Sequence, residues 1–485
     1  MIGLVWLEAV LEWLRVVSVL ALGGVVGSFV NVVAWRMPRG ESVLTPPSAC
    51  PRCGTRLWWR DNVPVVGWLV LGGRCRFCMG RISVQYPLVE LVVALVFVAV
   101  WVLWYADVDR LVPGVDLEGL GAWRPEWASA GFVATWPMFA MTLVLIACLV
   151  AAALIDARTF TIPLLLTWAP AAIGVVGHTA HAAWGGQLWR TEAVWTMPLG
   201  GSIGLGVAIG GAVGLMVSWV LWGFGVLPRS FADYDAWAEE AERKRAPARV
   251  DDEAGEDSQD VDPGAGRQFA LAVVALVVPV FAIGVAGWAL GGRVGGSLGA
   301  VVGLLIGMAL RRLVTAGDQD AGESDDPLWV QYPHARREMG KELLFVVPAV
   351  ICGAIGGVMA VRLGFAEVAP LWARVCGGAV LGYLVGGGVV WAVRILGTLA
   401  FGKEAMGLGD VHLMAGVGAV TGALVPTVAF FVAPVFGIAW FIWAAVARGG
   451  RGTALPFGPH LVLATLVLML CDPVMHWVGA WFTPP

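Results

Sequence analysis

The stretch "ATWPMFAMTLVLIACLVAAALIDARTFTIP", Ala134 to Pro163, decides the fold class of this chain. From Ala134 to Ile155 it carries no charged side chain, and a helix needs about 20 apolar residues to cross the hydrocarbon of a bilayer. The first charge is Asp156, at the end of the run. The stretch therefore predicts a transmembrane helix that ends on a carboxylate.

The composition of the whole chain agrees with this prediction. Of 485 residues, 59% are hydrophobic and 14% are charged, and the mean hydropathy is +0.79. Soluble domains have about 45–50% apolar and about 25% charged residues. The net charge of -4 gives no indication of nucleic-acid binding. The first apolar run lacks a cleavage site followed by a soluble domain, so we expect a retained helix.

Similar apolar segments recur along the chain and predict an all-α polytopic membrane protein with about twelve transmembrane helices. Polar stretches at 228–268 and 315–341 are predicted to be solvated loops, because they hold too little apolar surface to offset ordering entropy. The predicted spans lie near residues 16–35, 85–105, 134–155, 163–182, 197–225, 268–290, 294–313, 343–362, 373–396, 411–424, 425–447 and 458–482.

Loop charge predicts the orientation of these spans. The segment 36–81 holds eight arginines against two carboxylates, which is typical of a cytoplasmic loop. The segment 107–126 holds five carboxylates against two arginines, which is consistent with the outer side. Alternating the spans then predicts that Asp156 and Asp410 lie at the same, cytoplasmic, side of the membrane.

The cytoplasmic loop contains two CxxC pairs, "CPRC" (Cys50 and Cys53) and "CRFC" (Cys75 and Cys78). This spacing is typical of a tetrahedral zinc site with four thiolate ligands, which would hold a small domain together. Two structural disulfides are disfavoured on a cytoplasmic face, and an iron cluster stays open as an alternative. The remaining cysteines lie singly in apolar spans and are predicted to be packing residues: Cys148, Cys352, Cys376 and Cys471.

The second candidate site is the pair of aspartates at the membrane edge. Asp410 lies in "GKEAMGLGDVHLMAG", directly after Gly407 and Gly409, and glycine permits a close backbone approach or a positive φ. A carboxylate inside a membrane needs a partner or a wet cavity. Two carboxylates that share one proton can activate water for peptide hydrolysis. The simpler alternatives are a helix-end carboxylate at Asp156 and packing glycines before Asp410; His412 is predicted to cap or pack.

Six motifs, in this order, resemble the bacterial prepilin peptidases over roughly residues 20–182 and 371–470. They are "GSFVNVVAWRMP" (27–38), the two CxxC pairs around "DNVPVVGWL" (61–69), "YPLVE" (86–90), Asp156 with Ile162 and Pro163, "GKEAMGLGD" (402–410) and "PFGP" (456–459). The chain departs from the family's pattern at Ala405, His412 and Leu164, which leaves both carboxylates in place.

The resemblance implies an integral membrane aspartic peptidase that removes the basic leader of type IV prepilins or pseudopilins, with Asp156 and Asp410 as the catalytic pair. In long members with the cysteine domain, it also implies methylation of the new N-terminus from S-adenosylmethionine, and zinc on the four cysteines. Lys403, Glu404, Gly407 and Gly409 are predicted to support the catalytic loop. Glu90, Asn31 and Arg36 are substrate-contact candidates.

The expected location is the bacterial inner membrane, with the active site facing the cytoplasm and the arginines of the cysteine domain near anionic lipid headgroups. The alternatives are a peptidase without methyltransferase activity, a transporter that binds a cation at the aspartates, and a non-enzymatic secretion scaffold. The predicted parts are a first helix (1–35), a zinc domain (36–84), a first catalytic membrane part (85–182), an inserted region with about four helices (183–370) and a second catalytic part (371–485).

Overall fold

The computed structural model describes residues 2–111, 123–185, 199–234, 236–241, 243, 332–363, 369–448 and 456–480. Within these ranges the regular secondary structure is helical, apart from two isolated β-bridges. One bridge pairs Ala49 with Arg56, and the other pairs Arg74 with Arg81. The helical fold class predicted from the sequence is therefore confirmed for the described part of the chain.

Thirteen α-helices of the described residues have defined bounds, residues 236–241 are also helical, and short 3₁₀ helices occupy Met37–Arg39, Trp59–Asn62 and Glu126–Ala130. The α-helices are, in chain order, α1 (Ile2–Arg36), α2 (Val66–Val70), α3 (Gln85–Trp104), α4 (Val108–Leu111), α5 (Phe132–Thr159), α6 (Leu164–Gly185), α7 (Ser202–Gly223), α8 (Ala335–Leu363), α9 (Leu371–Phe401), α10 (Leu408–Thr421), α11 (Leu424–Arg448), α12 (Gly458–Leu470) and α13 (Asp472–Ala480).

Seven of the described helices are long and apolar enough to cross a membrane, or eight if the bent pair α12 and α13 is one span. The protein is therefore a multi-pass membrane protein. The spans predicted at 268–290 and 294–313 lie outside the described residues, so the total of about twelve stays a prediction. Helix α6 has 22 residues but is less apolar, and α10 has only 14.

The last predicted span, 458–482, differs from a straight helix. Helix α12 ends at Leu470, α13 begins at Asp472, and the two helices meet at 87°. Pro473 follows Asp472 in the first turn of α13, and a proline has no backbone N–H with which to continue the preceding helix. This segment is therefore a broken span or a re-entrant pair.

Helix α5 lies at the centre of the core and carries Asp156 at its end. Its side chains Leu145, Ile146, Leu149 and Ile155 are almost completely buried, and the helix packs against α1, α6 and α12. A buried helix in a membrane protein is apolar all round, which explains why the sequence there shows no polar face.

Helix α10 is held by close backbone contacts at glycines. A Cβ at Gly382 of α9 would lie 2.0 Å from the carbonyl oxygen of Gly418, and a Cβ at Gly418 would lie 2.0 Å from the carbonyl oxygen of Gly382. On its other side, a Cβ at Gly416 would lie 2.7 Å from the carbonyl oxygen of Thr167 in α6. Small residues permit this approach between membrane helices, and the packing fixes the helix that carries Asp410.

Helices α7 and α8 belong to the region predicted to be inserted, and they pack on each other through glycines four residues apart. A Cβ at Gly206, Gly210 or Gly214 would lie within 2.0–2.3 Å of a carbonyl oxygen of α8. Helix α7 also packs against α9. Helices α7 and α8 are thus joined to α9, the helix that precedes the loop before α10.

Candidate active site

Asp156 lies in the last turn of α5, and its side chain is buried, with the residue 7% exposed. Its Oδ2 accepts a hydrogen bond of 3.1 Å from the backbone N–H of Gly458, at the start of α12. A Cβ at Gly458 would lie 2.5 Å from that oxygen. The "PFGP" motif therefore provides a donor to the carboxylate at a position where only glycine leaves room for it.

Asp410 lies in the first turn of α10 and is also 7% exposed. The preceding Gly409 packs on the segment that follows Asp156, since its Cβ would lie 2.9 Å from Cβ of Ile162. Helix α10 also packs against α5, the helix that carries Asp156. The structure thus brings together the two aspartates that the sequence analysis selected, at the end of one helix and the start of another.

The loop between α9 and α10 holds the remaining loop residues selected from the sequence. Gly402 ends α9 with a positive φ of 74°, a conformation that glycine adopts without steric cost. The backbone N–H of Ala405 donates to Oγ1 of Thr398 at 3.0 Å. Glu404 forms an ion pair with Arg394, Lys403 lies beside it in the loop, and Gly407 precedes the first residue of α10.

Arg394 is a site residue that the sequence analysis missed. It lies in α9, is 2% exposed, and pairs with Glu342 of α8 at 2.9 Å as well as with Glu404. Its guanidinium also donates to the backbone carbonyl of Met406. A lone arginine within the apolar run "VVWAVRILG" could have indicated it, because a charge buried in a membrane needs partners.

Two of the substrate-contact candidates, Asn31 and Glu90, lie where α1 meets α3, and Arg36 is the last residue of α1. Asn31 donates to the backbone carbonyl of Tyr86 at 3.0 Å, and Glu90 accepts the backbone N–H of Val65 at 2.7 Å. Arg36 donates to the backbone carbonyl of Ser42 at 3.2 Å. All three have intramolecular partners that join α1, α3 and the cysteine segment, and their contact with substrate stays a prediction.

The start of α3 lies beside the end of α5 that carries Asp156. Arg158, at that end, donates to the side chain of Gln85, the first residue of α3.

The ring of His412 lies edge-on to Trp168, with 6.5 Å between ring centroids, in agreement with its predicted packing role.

The four cysteines of the CxxC pairs form one cluster. Their sulfur atoms all lie within 4.8 Å of one another, and Sγ of Cys50 lies 3.9 Å from Sγ of Cys78. Tetrahedral zinc with Zn–S bonds of about 2.3 Å places its sulfur ligands about 3.8 Å apart. The four thiols are free of disulfide bonds, so the donor set and its spacing fit a single metal ion.

Each cysteine pair sits on the same kind of turn. Gly54 donates its N–H to the carbonyl of Cys50 at 2.9 Å, and Met79 donates to the carbonyl of Cys75 at 3.0 Å. Asp61 joins the two halves, because Arg76 donates to both of its carboxylate oxygens at 2.6–3.1 Å. These hydrogen bonds lower the pKa of Asp61 and stabilise its charged form.

The protein is thus a helical membrane protein with several spans, a pair of buried aspartates and a domain that contains four clustered cysteines. Residues 21–104 match the bacterial peptidase A24 N-terminal domain. No solved structure matches this chain.

Three relatives illustrate the similarity. A prepilin leader peptidase/N-methyltransferase of Klebsiella pneumoniae is 32% identical over 43% of this chain and 75% of its own length. One of Dickeya chrysanthemi is 30% identical over 44% of this chain and 67% of its own length. One of Myxococcus xanthus (strain DK1622) is 52% identical over 17% of this chain, and that match spans only 25% of the relative. The chain belongs to the family of bacterial prepilin leader peptidases/N-methyltransferases.

Proposed function

We propose that this protein is a membrane aspartic endopeptidase that removes the leader peptide of type IV prepilins or pseudopilins, with Asp156 and Asp410 as the catalytic pair. The observation that carries the proposal is that both aspartates are buried on helices that pack together, α5 and α10, beside the contact between Gly409 and Ile162. The names of the relatives provide the substrate class. The division of the chain into a first helix, a zinc domain, two catalytic parts and an inserted region stays a prediction.

The chemistry follows from two carboxyl groups around one water molecule. Like charges in a buried site disfavour double ionisation, so the pair shares a proton. The ionised carboxylate acts as general base on the water, and the protonated partner polarises the scissile carbonyl and then supplies a proton to the leaving amine. The N–H of Gly458 orients Asp156 for this role through its hydrogen bond to Oδ2.

The proposed site lies at the cytoplasmic face of the inner membrane. A prepilin has an apolar segment that lies in the bilayer behind a basic leader, so its cleavage site lies at the membrane edge. Asp156 ends α5 and Asp410 begins α10, which suits a substrate at that edge. The arginine-rich segment 36–81 supports the cytoplasmic orientation.

Two cofactors belong to the proposal. Cys50, Cys53, Cys75 and Cys78 would hold a zinc ion that stabilises the cysteine domain. S-adenosylmethionine would donate the methyl group for the new N-terminus, and this second activity rests on the names of the relatives alone. A peptidase without methylation and a cation transporter are the alternatives that the following experiment separates.

The test is the N-terminal mass of a prepilin that is co-expressed with the protein in a host lacking its own prepilin peptidase. We expect loss of the leader together with the added mass of one methyl group. Loss of the leader without that added mass would support the peptidase and remove the methyltransferase. An unprocessed prepilin, with the protein present in the membrane, would remove the peptidase and favour a transport assay in vesicles.

The contact between Gly458 and Asp156 gives a sharper prediction. In Gly458→Ala the new Cβ would lie 2.5 Å from Oδ2 of Asp156, so the carboxylate must turn away from the N–H that orients it. A misplacement of about 1 Å can cost about 10²-fold in rate, and we expect a loss of that size in the rate of leader removal by purified enzyme.

Gly388→Ala is the matched control, because a Cβ at Gly388 of α9 meets nothing within 4 Å. It should retain the wild-type rate. Full activity of Gly458→Ala at wild-type abundance would show that the contact has no part in catalysis.

A further inference from the structure

The buried guanidinium of Arg394 joins three parts of the protein. It donates to both carboxylate oxygens of Glu342 in α8 at 2.9–3.2 Å. It also pairs with Glu404 and donates to the carbonyl of Met406, both in the loop before α10. Arg394 therefore connects helix α8 to the loop that precedes α10, the helix that carries Asp410.

Glu342 is held in place from a second direction. Nε1 of Trp391 donates to its Oε2 at 2.7 Å, and the residue is 5% exposed. A planar guanidinium and a carboxylate form several hydrogen bonds in one fixed orientation. The orientation of Arg394 is thus set by α8 on one side, while its other hydrogen bonds are directed at the loop.

Two further contacts from the inserted region reach the same place. Nε of Arg336, in the first turn of α8, donates to the carbonyl of Leu399 at 3.0 Å, near the end of α9. The ring centroid of Phe231 lies 5.5 Å from Cζ of Arg394, and the N–H of Phe231 donates to the buried Glu338 at 2.6 Å. Arg336 and Phe231 of this region therefore contact the end of α9 and Arg394, next to the loop before α10.

The carbonyl that Arg394 holds belongs to Met406, which precedes Gly407, and α10 starts at Leu408. If the loop shifted, the first turn of α10 would shift with it, and Asp410 would move relative to Asp156.

We infer that Arg394 and Glu342 are positioning residues, through which the inserted region holds Asp410 at the place where it meets Asp156. The inference rests on the proposed peptidase function. It gives part of the region 183–370 a role in the reaction, whereas a purely structural ion pair would affect only folding.

The test compares Arg394→Met, Arg394→Lys and Glu342→Gln with the wild type in leader removal from a purified prepilin, measuring kcat and KM separately. We expect kcat of Arg394→Met to fall by about 10²-fold with KM nearly unchanged, because the substrate still binds while the carboxylates are misplaced. Arg394→Lys keeps a charge for Glu342 but lacks the planar fork, so it should recover part of kcat.

Glu12→Gln is the matched control. Glu12 is 3% exposed and pairs with Arg15 at 2.5 Å, but it lies in α1, where Oε1 accepts the N–H of Asp107 at 3.3 Å in the segment predicted to lie outside. It should retain kcat. Abundance in the membrane and the melting temperature are measured for all variants, and rates are expressed per folded enzyme.

The outcomes separate the two hypotheses. If the wild type leaves the prepilin intact, the proposed function fails. If the wild type cleaves it but Glu342→Gln and Arg394→Lys keep the wild-type kcat per folded enzyme, the positioning role is overturned, even if Arg394→Met does not fold. Lower stability with an unchanged kcat would likewise reduce the ion pair to a structural one.

Discussion

Asparagine at position 156 or at position 410 should lower the rate of leader removal by about 10³-fold or more. General acid and base catalysis contributes about 10²–10⁴-fold, and one amide in place of a carboxyl removes both the shared proton and the base. Asparagine has nearly the size of aspartate, so the packing of residue 156 against Gly458 is retained. The loss should therefore appear in kcat at wild-type abundance.

The measurement is processing of a co-expressed prepilin, followed by mass spectrometry, and single-turnover cleavage with purified enzyme. Asp472→Asn is the matched control. Asp472 is 4% exposed and pairs with His476 at 3.0 Å, in α13 and away from the candidate site, so this variant should process normally. Full processing by either of the two active-site variants would disprove the aspartate pair.

Serine at position 75 should remove the bound metal and unfold the cysteine domain. Cys75 is 2% exposed, and its sulfur belongs to a cluster of four within 4.8 Å. Zinc contributes about 10–16 kcal/mol of apparent binding free energy to small four-ligand domains, and the described segment 36–84 has only short helices and single bridges to hold it without metal. Loss of one metal ligand should therefore unfold this domain.

Metal content per protein, measured by atomic emission, should fall from about one zinc ion to none, and limited proteolysis should cut within 36–84. Cys471→Ser changes a thiol outside the cluster and should keep the metal. Removal of zinc from the wild type by a chelator should reproduce the proteolytic cleavage. An unchanged zinc content in Cys75→Ser would contradict the proposed metal site.

Much of the fold could be predicted because a bilayer requires a minimum length of apolar helix, and this length can be read from one continuous segment of sequence. A run of apolar residues either reaches the length of the hydrocarbon or does not, and helices α1, α3, α5 and α9 follow such runs. The break between α12 and α13 was missed although Asp472 and Pro473 marked it, since hydropathy averaged over the segment hides one polar turn.

Some residues of the candidate site could likewise be predicted from the sequence, and others could not. The cysteine spacing and the two aspartates were found from the sequence, because ligand sets and membrane carboxylates stand out locally. Gly458 was seen only as part of a motif, and Arg394 with Glu342 was not selected. Gly458 is 302 positions from Asp156 in the chain. Arg394 is 52 positions from Glu342. No local sequence pattern relates partners that are so far apart.

The sequence by itself determined that this chain is a helical membrane protein with a thiol cluster and two carboxylates at span ends, because hydrophobic length and side-chain chemistry are properties of short segments. Only the tertiary structure decided which backbone N–H meets Asp156, and which buried charges hold the loop before Asp410. Those contacts arise where glycines allow helices to approach closely, and such approach depends on two distant surfaces at once.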